Sequence, residues 1–103
     1  MKYVIDSYSW IDYFNGNSAG EKVKDIIENS ENEIITNILC LSEIISFMKR
    51  TNCYSENTIN TFLSLSKIYN INIEFVKEAG ILHAEIKQKI KNFGLIDAFV
   101  LLT

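Results

Sequence analysis

The sequence predicts an α/β fold in which a parallel sheet lies between two layers of helices. The first observation behind this prediction is order, because segments with strand character alternate with segments of helical periodicity along the whole chain. The second is composition: 48% hydrophobic and 22% charged residues in a chain of 103 residues are typical of one globular domain. In such sheets the ligands bind at the carboxyl ends of the strands, so residues there deserve most attention.

The first part of the chain predicts one strand and two helices. The strand covers residues 3–5, and the helices cover residues 9–14 and 18–29. Each helix begins with a serine that an acid follows three residues later, which is the spacing of a capping box. The dipeptide Asn15-Gly16 separates the two helices, because glycine commonly ends a helix.

The rest of the chain predicts two further strands and four further helices. The strands cover residues 33–36 and 71–75, and the helices cover residues 38–48, 55–68, 76–92 and 95–102. The last strand is predicted from alternation at period two in Ile71-Asn72-Ile73-Glu74-Phe75. The helix that begins at Ile38 is apolar except for one polar stripe at helical spacing, formed by Ser42, Glu43, Ser46, Lys49 and Arg50.

Cysteine and histidine content excludes several classes of protein. Only Cys40, Cys53 and His83 could supply sulfur or imidazole ligands, which are too few for a four-ligand zinc site. Two cysteines without CxxC spacing do not form a disulfide scaffold, and they suit a reducing cytoplasm. No apolar stretch approaches a membrane span, and a charge follows the first apolar residues, unlike a signal peptide. We therefore expect a cytoplasmic protein without membrane contact.

The charge balance does not indicate a basic nucleic-acid-binding surface. Ten cations against thirteen acids give a net charge of −3, and Arg50 is the only arginine. Proteins that bind nucleic acid usually carry excess positive charge, because phosphate contacts supply much of the affinity. Contact with nucleic acid would need a local patch, a partner or bound cations. The only cationic clusters are Lys49-Arg50 and the lysines at 87, 89 and 91, and such runs are usually solvated helix faces.

Three acids lie where the predicted topology brings functional residues together. Asp6 ends the first strand, Glu43 follows the second strand within the polar stripe, and Asp97 begins the last helix in an apolar segment. Ordinary roles exist for each: a helix cap, a solvated face and a first-turn acid favoured by the helix dipole. Together, however, three carboxylates at one crevice would repel one another without a cation. Oxygen ligands favour Mg²⁺ or Mn²⁺ over zinc.

Three sequence blocks carry a resemblance to a known family. They are Asp6-Ser7-Tyr8-Ser9-Trp10-Ile11-Asp12, then Ile34-Ile35-Thr36 with Leu41-Ser42-Glu43-Ile44-Ile45, and finally Asn92-Phe93-Gly94-Leu95-Ile96-Asp97-Ala98. In this order they resemble PIN domains, in particular the VapC-like toxins of type II toxin–antitoxin systems. The resemblance runs over the whole chain and implies a three-layer α/β/α PIN-like domain over residues 1–103. The family has a fourth acid on a later strand, so we expect a C-terminal strand and helix to be missing.

The resemblance also implies an activity and partners. It implies an endoribonuclease toxin, dependent on Mg²⁺ or Mn²⁺, that cleaves RNA phosphodiester bonds. Asp6, Glu43 and Asp97 match the family's catalytic and metal-binding acids. A small antitoxin protein and a homodimer are the implied partners.

Two other interpretations remain open at the level of sequence. The first is a PIN-like protein-interaction module that is inactive because the fourth acid is missing, and it predicts folding and partner binding without metal-dependent cleavage. A receiver-like phosphoacceptor domain would need an acidic pair near the first strand, but Asp6 has no acidic neighbour before Asp12. Ser7 either orients a metal-bound water or caps a helix, and His83 is predicted to be structural. The aromatic residues Trp10, Tyr13 and Phe14 are predicted to belong to the core or to a dimer contact.

Overall fold

The computed structural model describes residues 1–103, which form a parallel sheet of three strands and six helices. The strands are β1 (Lys2–Val4), β2 (Glu33–Asn37) and β3 (Lys67–Tyr69). The helices are α1 (Ser7–Asn15), α2 (Ser18–Ile27), α3 (Ile38–Arg50), α4 (Glu56–Leu65), α5 (Ile73–Lys87) and α6 (Leu95–Leu102). The predicted α/β class with a parallel sheet is confirmed. None of the helices is both long and apolar enough to span a lipid bilayer.

The strands lie in the order β1-β2-β3, and both pairings are parallel. Val4 lies opposite Ile35, and Asn37 lies opposite Tyr69. Helices α1 and α2 connect the first pair of strands, and α3 and α4 connect the second pair. The carboxyl ends of β1 and β2 are therefore neighbours, and the chain enters α1 and α3 from adjacent points.

Helices α1 to α4 cover one face of the sheet and form the main core with it. The cluster of buried apolar residues comprises Ile5, Trp10, Ile27, Ile34, Ile44, Met48, Ile59 and Phe62. Trp10 lies at its centre, fully buried, and its ring packs edge-on against Phe62 with a centroid distance of 4.6 Å. Its indole Nε1 donates to Thr36 Oγ1 at 3.0 Å, which satisfies the one polar group of the ring. This places Trp10 in the core, as predicted.

The opposite face of the sheet is covered at its carboxyl end. There the Asn37 amide Nδ2 donates to Thr103 Oγ1 at 3.0 Å, which attaches the end of α6 to β2. The ring of Phe75 lies between Tyr69 and Phe99, with centroid distances of 5.3 and 5.8 Å. These contacts join α5 and α6 to the sheet and to each other. The rest of this face borders an open cleft of about 620 Å³.

The prediction of a third strand at residues 71–75 is wrong. The strand lies earlier, at Lys67–Tyr69, because α4 ends at Leu65 and Ser66 already has an extended backbone. The residues that alternate at period two instead begin α5. The Asn72 side chain accepts a hydrogen bond from the backbone N–H of Phe75 at 2.8 Å, so it caps the helix that begins at Ile73. Local capping therefore outweighs a short alternating pattern.

The caps predicted at Ser9 and Ser18 are wrong, because the structure places both helix caps earlier in the sequence. Asp6 caps α1 by accepting from the Ser9 backbone N–H at 2.8 Å, so the helix begins at Ser7. Asn17 caps α2 by accepting from the Gly20 backbone N–H at 2.7 Å. The predicted end of α1 at Asn15-Gly16 is confirmed, with Gly16 in the left-handed region at a φ of 68°.

Candidate functional site

Asp6 stands at the junction of β1 and α1. It is partly buried, and its Oδ1 atom accepts the capping hydrogen bond from Ser9. No side-chain hydrogen bond or ion pair engages Oδ2. Asp6 therefore has the capping role that its position allows and still presents one carboxylate oxygen for another partner.

Glu43 reaches the same region from α3. Its Oε1 atom accepts a hydrogen bond of 2.8 Å from the hydroxyl of Ser7, which is itself buried. Since Ser7 directly follows Asp6, this bond holds the Glu43 carboxylate beside the end of β1. The position of Ser7 at the start of α1 makes it an orienting group for Glu43. The Oε2 atom is left without a hydrogen bond to the protein.

Asp97 lies in the first turn of α6. Its Oδ2 atom accepts from the Gly94 backbone N–H at 2.9 Å, so the carboxylate caps the helix. The sequence suggests an acid in an expensive apolar setting, but in the structure Asp97 is exposed and keeps its hydration. It borders a cleft of about 340 Å³ that Glu43 also lines. The structure thus brings Asp97 and Glu43 to one cleft.

The pKa of the Cys40 thiol responds to the charge of all three acids. It is completely buried in the first turn of α3. Burial, then Glu43, and with smaller effects Asp6 and Asp97, raise the pKa of this thiol to about 11, while a backbone hydrogen bond with Ser7 opposes the rise. All three carboxylates therefore act on this thiol, and the shared cleft of Glu43 and Asp97 and the Ser7–Glu43 hydrogen bond place them in the same region of the molecule.

A model of the PIN domain family matches residues 3–103 of the chain. The chain belongs to the PIN domain family. The crystal structure of VapC20 from Mycobacterium tuberculosis, described as a sarcin–ricin loop cleaving toxin, superposes with a TM-score of 0.71. The two sequences are 12% identical, and the match covers 98% of this chain and 78% of VapC20. At this identity the likeness establishes a shared fold. No curated protein matches the sequence.

The carboxylate oxygens of this PIN domain are the kind of ligand that Mg²⁺ prefers, although the three acids do not form a complete metal site. No group of three histidine, cysteine, aspartate or glutamate side chains lies close enough together to hold a metal ion. Each of the three carboxylates nevertheless keeps one oxygen without a hydrogen bond. The ion pairs of the structure, Lys2–Glu33 and Lys77–Glu74, leave all three acids without a cationic partner. Mg²⁺ commonly binds through one or two carboxylates and retains waters, so the residues fit such an ion.

Two residues that line the cleft of Glu43 and Asp97 are not predicted from the sequence as part of the site. Tyr8 and Asn92 line it together with Glu43 and Asp97. Tyr8 is 75% exposed, and its position directly after Ser7 was the available signal. His83, in contrast, forms a hydrogen bond of 3.1 Å between its Nε2 atom and the carbonyl oxygen of Phe93, and its ring stacks on the Phe93 ring. These contacts agree with the structural role predicted for it.

Proposed function

We propose that this PIN domain is an endoribonuclease that requires Mg²⁺ or Mn²⁺ and hydrolyses RNA phosphodiester bonds. One observation carries the proposal: Glu43 and Asp97, from two separate helices, line one cleft at the carboxyl edge of the sheet, Ser7 ties Glu43 to the residue that follows Asp6, and no cationic side chain pairs with any of the three acids. Mutually repelling charges at a solvent-accessible cleft favour the binding of a divalent cation.

In this proposal each acid contributes the oxygen that the protein leaves free. The Ser7 hydroxyl fixes one oxygen of Glu43, and the Gly94 N–H fixes one oxygen of Asp97. The Ser9 N–H does the same for Asp6. When bound, a divalent ion would supply an activated water and stabilise negative charge on the phosphate. The protein groups hold the acids in position before the substrate arrives, which lowers the cost of reorganisation.

The proposed substrate is RNA with an accessible backbone, as found in single strands and loops. In-line attack on a phosphodiester needs space on both sides of the phosphorus, and unpaired RNA provides it. VapC20, a solved structure with the same fold, is described as a toxin that cleaves the sarcin–ricin loop. A protein of net charge −3 must bind such a substrate through local groups rather than through its overall field.

We further propose that the nuclease is the toxin of a toxin–antitoxin pair in the cytoplasm. Its partners would be a small antitoxin protein and a second copy of the chain. The description of VapC20 as a toxin supports the first part of this proposal. Size-exclusion chromatography with light scattering, with and without the co-expressed neighbouring gene product, measures both associations.

The decisive experiment is cleavage of an RNA that contains structured and single-stranded parts, in Mg²⁺, Mn²⁺ or EDTA. We expect metal-dependent cleavage by the wild type, and a loss of at least about 100-fold in Glu43→Gln and Asp97→Asn. Asp25→Asn is the matched control, because Asp25 is an exposed acid of α2 outside the cleft. Normal cleavage by Asp97→Asn, after removal of contaminating nuclease, would show that the site is assigned wrongly.

A protein-interaction module without catalysis is the second candidate. The absence of a closed three-ligand cluster favours it. It predicts a folded chain that binds a partner protein and cleaves no RNA with either metal. The same assay therefore separates the two candidates, provided that circular dichroism shows the chain to be folded.

A further inference from the structure

We infer that single-stranded RNA crosses this protein along a track over Glu43, with a base stacked on Tyr8 on one side and a phosphate bound by Arg50 on the other. The inference rests on the proposed function and adds to it the residues that hold the substrate. It concerns side chains outside the three acids.

The track consists of two clefts that meet at Glu43. The first, of about 340 Å³, is lined by Tyr8, Asn92 and Asp97 together with the apolar residues Leu95 and Ile96. The second, of about 420 Å³, follows the polar face of α3 and is lined by Ser42, Ser46 and Arg50 besides Glu43. Because Glu43 borders both, a strand that lies over its carboxylate has a cleft on each side, one partly apolar and one polar. No hydrophobic residue lines the second cleft.

Arg50 has the free bonding capacity that phosphate recognition needs. It is exposed, forms no ion pair, and donates only a long hydrogen bond of 3.4 Å from Nε to Ser46 Oγ. The other guanidinium donors remain available for the two-pronged contact that arginine makes with phosphate. Lys49 differs from it, because its ammonium lies 4.4 Å from the centre of the Tyr54 ring. The one arginine of the chain is therefore the free cation of this face.

The spacing on α3 assigns Arg50 to a neighbouring phosphate. Glu43 and Arg50 are seven residues apart, which corresponds to about 10 Å along a helix. A guanidinium at that distance contacts the backbone beside the cleaved bond rather than the cleaved bond itself. Arg50 is thus a binding and positioning residue, and the acids keep the chemistry.

Tyr8 offers a stacking surface at the other end of the track. Its side chain is 75% exposed, and no aromatic ring of the protein packs against it. Bases stack on such rings only when they have left a duplex, so Tyr8 favours unpaired RNA. An aromatic ring and an arginine on opposite sides of an acidic centre suit a nucleotide chain better than an acidic peptide, which offers no base to stack.

The test measures the binding of a fluorescent single-stranded oligoribonucleotide by anisotropy in EDTA, and its cleavage in Mg²⁺. Arg50→Gln should weaken binding by about fivefold or more, and should reduce the slope of log affinity against log salt by about 0.7, the contribution of one phosphate contact. Lys22→Gln is the control, because it removes an exposed cation that lines neither cleft. Tyr8→Leu should weaken binding by about fivefold or more, whereas Tyr8→Phe should retain it.

The inference is overturned if Arg50→Gln and Lys22→Gln bind RNA with the same affinity and the same salt slope. It is also overturned if Arg50→Gln leaves RNA binding intact but loses binding of polyglutamate, since the face would then serve a protein. A wild type that binds RNA as expected but cleaves none with either metal would refute the proposed function and leave the track standing. Metal-dependent cleavage by the wild type, with unchanged RNA binding in all variants, would refute the track and leave the proposed function standing.

Discussion

The buried thiol of Cys40 reports on the charge of the candidate site. Its pKa is raised from the ordinary value of 9 to about 11, first by burial and then by the neighbouring acids. The folded chain therefore keeps the thiol protonated in a pH range where the unfolded chain ionises. Stability from this group is fully present below pH 9 and is lost as the pH rises towards 11.

We expect the free energy of unfolding to fall by on the order of 2 kcal/mol between pH 9 and 11 because of Cys40. Denaturant titrations of the wild type and of Cys40→Ala at pH 8.5 and 10.5 measure this fall as a difference between the two proteins. Burial also raises the pKa of Tyr13 to about 12. Both proteins contain this tyrosine, so its effect on stability cancels in the comparison. Cys53→Ala is the control, since Cys53 is exposed. An equal decline in wild type and Cys40→Ala would refute the assignment.

Ser7 contributes a hydrogen bond to a charged acceptor from a buried position. Ser7→Ala removes the donor that holds Glu43 Oε1 at 2.8 Å. We expect it to lower the free energy of unfolding by about 2 kcal/mol, measured by urea denaturation, because bonds to charged groups exceed neutral ones in strength. Ser64→Ala removes an exposed hydroxyl that bonds within its own helix, and it should change stability by less than about 0.5 kcal/mol. Equal effects would argue against a role for Ser7.

At the scale of elements, the contact between α1 and α2 depends on Gly20. A Cβ atom on this glycine would lie 2.1 Å from the Asp12 carbonyl oxygen and 3.2 Å from Tyr13 Cα. These are backbone atoms, so the helices would have to separate. Gly80 in α5 provides a contrast, because a Cβ atom there meets nothing within 4 Å.

We predict that Gly20→Ala destabilises the protein by about 3 kcal/mol or more, the range of forced overpacking. Gly80→Ala should stabilise it by about 0.5–1 kcal/mol, because alanine costs less backbone entropy in a helix interior. Thermal unfolding followed by circular dichroism measures both changes. A loss of stability in Gly80→Ala would contradict the prediction, which rests on the open space around the added methyl group.

Capping explains where sequence patterns predict the elements and where they do not. The helical periodicity of residues 38–48 predicts α3 almost as observed, because thirteen residues give the pattern room to repeat. The alternation at residues 71–75 spans too few residues to decide between strand and helix. There the side chain of Asn72 captures the Phe75 N–H and begins α5. One side-chain hydrogen bond thus fixes the helical conformation of the residues that follow Asn72. The periodicity of the sequence contains no information on this bond.

At the scale of the whole molecule, a buried polar chain joins three elements of the core. Trp10 of α1 donates to Thr36 of β2, and the Thr36 hydroxyl lies 2.6 Å from the hydroxyl of Ser66 before β3. Every buried polar side-chain atom of the protein has such a partner. Removal of the central hydroxyl would leave the indole N–H without an acceptor in the core.

We expect Thr36→Val to lower the free energy of unfolding by about 2–3 kcal/mol, since an orphaned buried donor keeps its full desolvation penalty. The fluorescence of Trp10, the only tryptophan, follows the unfolding directly. Thr61→Val is the control, because Thr61 is exposed and bonds to a carbonyl of its own helix. A destabilisation no larger than that of Thr61→Val would show the network to be energetically neutral.

The global topology and the family follow from the order of the blocks, because the three acids stand after β1, after β2 and at the start of α6 in any parallel arrangement. The detailed site does not follow. That Ser7 orients Glu43, that the acids raise the pKa of the buried Cys40 thiol and that Asp97 is exposed all depend on how residues distant in sequence pack together. Spacing along the sequence contains no information on such contacts. The exposed ring of Tyr8 likewise becomes visible only when the packing is known.

The attachment of α6 to β2 through Asn37 and Thr103 has a consequence for synthesis of the protein. A ribosome releases Asp6 first, Glu43 much later and Asp97 last of the three, and α6 carries Asp97 to the cleft that Glu43 also lines. A growing chain that has not released α6 therefore contains at most two of the three carboxylates. If the proposed nuclease activity is correct, a chain whose translation stops before α6 lacks one of the three acids and is inactive.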